Sequence, residues 1–254
     1  MIDLDAGTVL LQWATGGLFF FWVTARRRVV GLGYGWLLRS VYGVIAVGSF
    51  AAGSAIGGHP ERDAVAMAVA AVALGLVGAS FVHRREGLDA VHPHMDLIAP
   101  VFGLVGLVLA SVDTGGPVAL SLARTLVGAL FLGAVTDAML LGHWYLVQPG
   151  LSRAPLLELN KLVAIVWPFE IATLLWPVGM FSVFSGSIDD GYSGVLGYFW
   201  IACAITTIAL CAVTAAALRE RSYSAVMAAT GLLYLAILTA FGTDLVAKAV
   251  LAGA

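Results

Sequence analysis

TDAMLLGHWYLVQPGLSRAPLLELNKLVAIVWPFE, residues 136–170, holds the densest set of polar groups in an otherwise apolar chain: Asp137, His143, Asn160, Lys161 and Glu170. Its middle, QPGLSRAP, carries the proline and glycine of a turn, and long apolar runs flank it on both sides. The stretch reads as the end of one transmembrane helix, a short cytoplasmic turn and a second helix. Pro168 and, just beyond the stretch, Pro177 break that second helix, each beside a tryptophan.

The same reading extends along the whole chain. Of 254 residues, 61% are hydrophobic and 11% charged, where a soluble domain carries about 25% charged residues. Thirty glycines suit the close helix crossings of membrane bundles. A bilayer core of about 30 Å takes roughly 20 apolar residues in helical form. By that measure there are eight spans, at 7–25, 36–57, 64–83, 95–112, 119–147, 155–184, 192–217 and 223–247. The connections are short, so the expectation is a single all-α transmembrane domain over residues 1–254, a polytopic bundle in the cell membrane with no separate soluble part.

Charge supports the count. The chain begins acidic (Asp3, Asp5), turns apolar and reaches Arg26-Arg27-Arg28, the reverse of a secretory signal, which puts both termini on the non-cytoplasmic side. The cytoplasmic side then receives Arg26, Arg27, Arg28, Arg39, Arg84, Arg85, Arg153, Lys161, Arg219 and Arg221. Only Arg62, Arg124 and Lys248 fall on the other side, together with eight acidic residues from Asp3 to Asp244. Seven or nine spans would scramble this order. There is no basic face and no aromatic–basic alternation, so nothing points to nucleic acid. Cys203 and Cys211 lie within one apolar run and read as packing residues.

Local signals add detail. Pro155 suits the first turn of span six, and Glu158 complements the positive end of that helix. Ala71/Gly75 and Ala129/Gly133 have the small-residue spacing of close helix crossings. Trp22, Tyr34, Trp36, Trp144 and Tyr145 fall near the inner boundary, where aromatic anchors belong. The first four spans and the last four share no sequence repeat.

Four of the five histidines gather at one level. His83 ends span three, His92 and His94 enter span four, and His143 ends span five. Neutral imidazole binds haem iron, copper and zinc. His83 and His143 are thus candidates for a bis-histidine haem b, and His92, His94 and Asp96 for a metal. His143, Trp144, Tyr145 and Asp137 offer the proton exchange and stacking of a quinone pocket. The plain alternative is that these are interfacial and loop histidines. Two carboxyls lie inside spans. Asp137 sits about two turns from the inner boundary, either a functional group or a structural partner for Arg39. Glu170 is about 22 Å along the helix from Pro155, beside a proline break, as in many proton and ion paths, or else a partner for Arg124.

Four function classes follow. The sequence favours a membrane subunit of a redox assembly holding haem b or a quinone, with other protein subunits as partners. Next come a proton-coupled carrier or channel using Asp137 and Glu170, a structural or assembly subunit, and a histidine–metal enzyme acting on lipids. There is no Walker loop, GxSxG, HExxH or CxxC.

Overall fold

The computed structural model describes residues 5–57, 59–87, 91–112, 117–177 and 179–252, and among these there are helices and no strands. In order they are α1 (Ala6–Ala25), α2 (Leu32–Ile56), α3 (Pro60–Glu86), a 3-10 turn (Pro93–Leu97) running into α4 (Ile98–Val112), α5 (Val118–Val147), α6 (Ala154–Leu175), a 3-10 turn (Met180–Val183), α7 (Val195–Ala217) and α8 (Tyr223–Ala252). Seven of these helices, all but α6, are long and apolar enough to cross a membrane, counting the Pro93–Leu97 turn with α4. The chain is a helical membrane bundle.

The sixth expected span departs from its expected form. Every eighteen-residue stretch of α6 contains Glu158, Lys161 and Glu170, so α6 falls short of the apolar character of the other seven. It also ends at Leu175 instead of running to 184, because Trp176 turns extended ahead of Pro177. Other ends shift outward. Pro60 opens α3, four residues before the expected start, with Glu61 and Asp63 in its first turn and Gly87 closing it at φ +68°.

The chain divides into two compact units, Asp5–Asp113 and Thr114–Ala254. In the first, each helix packs on the next and α4 returns to α1, a four-membered ring. The close approach of α1 and α2 depends on Gly17, where an added Cβ would lie 2.1 Å from the Tyr42 ring. Gly17→Ala is therefore expected to cost about 1–3 kcal/mol through overpacking, read as a lowered midpoint of thermal unfolding in detergent. The expected Ala71/Gly75 seam is not used: both residues are exposed, and a Cβ at Gly75 would meet nothing. Apolar lipid-facing surface tolerates small residues as readily as a crossing does, so the spacing alone could not separate the two.

Each end of this unit is pinned by a buried arginine. At the α3 N-terminus, Arg62 is 1% exposed. It donates to Asp63 (2.9 and 2.6 Å) and to the Thr8 hydroxyl (2.8 Å), and pairs with Asp5, whose carboxylate caps α1 by accepting from the Gly7 and Thr8 N–H groups. At the other end, Arg39 of α2 forms a two-pronged pair with Asp96 (2.7 and 2.8 Å) and donates to Ser80 (3.1 Å). The expected Arg39–Asp137 pairing is thereby replaced: the Asp96 carboxylate meets the fork of the guanidinium directly, the geometry that favours an arginine–carboxylate pair.

The second unit is also a ring, α5–α6–α7–α8 closing back on α5. Two side-chain bonds fix α6 against α7: Asn160 Nδ2 donates to the Cys211 carbonyl (2.9 Å) and Trp167 Nε1 to that of Ala204 (3.0 Å). The Thr207 hydroxyl donates to that of Thr239 (2.8 Å), linking α7 to α8. The start of α7 is organised by Asp190, which accepts from the N–H groups of Tyr192, Gly194 and Leu196. Those bonds, Gly194's foremost, hold its carboxyl below the usual range. Ala129 and Gly133 of the second expected seam are both buried.

Candidate functional site

Three helices of the second unit bring charge into one buried place. α6 contributes Glu170, two residues past Pro168, whose missing N–H leaves the Ala164 carbonyl without its helical donor. Glu170 is fully buried, and neither carboxyl oxygen has a hydrogen-bond donor among the described residues. From α8 comes Asp244, also fully buried, with Lys248 one turn later at 4% exposure. The Lys248 ammonium sits 2.7 and 2.8 Å from the two Asp244 oxygens. The Glu170 carboxyl lies within hydrogen-bonding reach of Asp244 and feels the charges of Lys248 and Arg124.

Arg124, on α5, closes one side. Its Nε donates to the Thr173 carbonyl (2.8 Å) and its Nη2 to that of Trp176 (2.9 Å). Carbonyls in the last turn of a helix have no partner within it and form the negative end of its dipole, so a guanidinium there serves as a cap. The expected direct pairing of Glu170 with Arg124 is thus refined: the donors go to the end of α6, while the charge still acts on Glu170. α7 has no charged residue along Val195–Ala217 but adds Trp200, 1% exposed, whose indole N–H has no partner among the described residues.

This places Asp244 and Lys248, assigned by charge order to the outer boundary, inside the helical core. α8 continues to Ala252, five residues past its expected end, and the i, i+4 spacing puts both on one inward face. Two acids and two bases therefore face one another in a dry environment. Two carboxyls within hydrogen-bonding reach can share a proton, as paired carboxyls in other proteins do. Chemically, the arrangement can bind and release a proton while Lys248 and Arg124 hold the remaining charge in place.

The other candidates are dispersed. Asp137 is fully buried on α5. His143, on the same helix, is exposed, with Nδ1 3.3 Å from the Tyr234 hydroxyl of α8. Trp144 donates its indole N–H to Gln148 (3.0 Å), and Tyr145, buried, donates its hydroxyl to the Ser152 carbonyl. His83 is half-buried near the end of α3, in the first unit. His92 and His94 are exposed, their ring centres 4.9 Å apart, while Asp96 turns inward to Arg39. Among the described residues no three His, Cys, Asp or Glu side chains gather as a metal site would require.

Comparison of the chain with protein-family models, with curated proteins and with solved structures gives no match.

Proposed function

We propose that the protein translocates protons across the cell membrane, as a proton-coupled carrier or channel, and that Glu170 is the group that takes up and gives up the proton. In this reading α6 is an eighth span, both termini lie on the non-cytoplasmic side, and Glu170 sits toward that side. One observation supports it above all. A fully buried carboxyl with no hydrogen-bond donor lies against a second carboxyl already committed to a lysine. A purely structural carboxylate would be expected to have its oxygens satisfied, since an unpaired buried charge costs several kcal/mol. Asp137, a third fully buried carboxyl of the unit, lies about 20 Å along α5 from Arg124 and serves as a second station.

The redox reading, with haem b or a quinone held by His83, His143, Trp144 and Tyr145 and with further protein subunits as electron donors, draws less from this geometry. The side-chain polar groups of Trp144 and Tyr145 are bound locally, and His143 faces outward against Tyr234.

Proteoliposomes with pyranine inside, driven by a potassium diffusion potential, test the proposal. Glu170→Gln should slow proton uptake on the order of a hundredfold while unfolding at nearly the wild-type temperature. A variant that unfolds early but still passes protons would make Glu170 a structural residue instead.

A further inference from the structure

We propose that, in the conformation the structure holds, Glu170 exchanges its proton with water from one end of the α5–α8 unit only, the end at the α6 N-terminus, along a ladder of polar atoms on α6, α7 and α8, and that release to the other side takes a second conformation. The inference rests on the proton-carrier reading of Glu170 and adds the route.

The helix register places the rungs. Asn160 is level with Cys211 and Trp167 with Ala204, seven residues apart on each helix, so Glu170 falls level with the segment between Trp200 and Cys203. The Thr207–Thr239 bond sets α7 against α8, and five residues further along α8 Asp244 reaches the same level. Going from Glu170 toward the α6 N-terminus, the interior passes the Thr207/Thr239 hydroxyl pair, then Asn160, then Thr214. Asn160 lies about 15 Å from Glu170 along α6.

These rungs are polar and largely buried, with Thr239 partly exposed. The Asn160 Oδ1 and Thr214 Oγ1 atoms, in residues 3% and 0% exposed, have no hydrogen-bond partner among the described residues. Thr207 has one hydroxyl proton but two acceptors in reach, the Cys203 carbonyl at 2.9 Å and Thr239 at 2.8 Å. Hydroxyls both donate and accept, and buried polar atoms without a protein partner are satisfied by internal water. A file of hydroxyls, an amide and water is what a proton needs to move by successive hand-over.

Beyond Glu170 the chemistry reverses. Arg124 is fixed on the Thr173 and Trp176 carbonyls, Lys248 on Asp244, and the space beyond is packed with Leu174, Met180, Val183, Ile188 and Leu251. Two cations and a dry apolar plug repel a hydrated proton. The charged groups acting on Glu170 are thus Arg124 from α5 and Asp244 and Lys248 from α8, with none from α7.

The test uses infrared spectra of the reconstituted full chain. The carboxyl C=O band of Glu170 is identified by its loss in Glu170→Gln, and its rate of deuteration is followed after exchange into D2O. Thr214→Val with Asn160→Leu should slow deuteration about tenfold, the barrier change of one lost hydrogen bond, with a parallel fall in proton uptake. Thr207→Val, which keeps the Asn160 bond intact, should do the same if the double variant fails to fold. If no band vanishes in Glu170→Gln, the proton-carrier reading falls and the route with it. If the band is present and deuterates at the wild-type rate in both ladder variants, or slows in Asp137→Asn instead, the carrier reading stands and the ladder is wrong.

Discussion

Replacing Lys248 by methionine should lower the stability of the α5–α8 unit by about 3–5 kcal/mol, the usual cost of stranding one partner of a buried ion pair. The methionine keeps most of the aliphatic stem, so packing changes little, and the loss is electrostatic. Asp244 would then face Glu170 with no ammonium on its other side, two carboxyls and one remote guanidinium in a space shut off from water. Adding Asp244→Asn should restore most of the loss, because an amide needs no counter-charge. The measurement is a double-mutant cycle on thermal unfolding in detergent, with a coupling energy well above the scatter of about 0.3–0.5 kcal/mol seen for independent sites. Additive effects would mean that the two residues do not share a site.

Arg62→Met should be as costly for the other unit, again about 3–5 kcal/mol. Arg62 is the only cation among the four side chains Asp5, Thr8, Arg62 and Asp63 that meet where α1 and α3 begin. Without it two carboxylates are left close together. Asp5 also caps α1, so the first turn of that helix should fray. Hydrogen exchange would detect this as faster exchange of the Gly7 and Thr8 amides, the two that Asp5 now accepts from. Arg62→Lys should recover only part of the loss, since an ammonium cannot present the fork that reaches Asp5, Thr8 and Asp63 together. Equal stability of Arg62→Met and the wild type would show that this cluster contributes nothing.

Much of the architecture was legible because membrane helices announce themselves by length and apolarity. Seven of the eight apolar runs are helices with these properties, and the turn at 148–153 lies where its proline, glycine and arginine predict. Glu170 stood out because a carboxyl inside an apolar run is rare and expensive. Asp244 and Lys248 were misplaced for a related reason. They lie near the end of a long apolar segment, where a charge is ordinarily wet, and only the continuation of α8 to Ala252 draws them inward. Their i, i+4 spacing was the available signal. The Arg39–Asp96 and Arg62–Asp5 pairs join residues far apart in the chain, and no local pattern says which of several interior charges will meet. Orphan atoms on Asn160, Thr214 and Trp200 are invisible until the helix faces are known.

The attachment of Arg124 to the last carbonyls of α6 has a mechanical consequence. One tip of α6 is tethered to its neighbour by two charge-assisted bonds, while Pro168 weakens the rod two residues before Glu170. Bending strain along α6 will therefore concentrate at that proline, between a long arm held to α7 through Asn160 and Trp167 and a short arm held to α5 through Arg124.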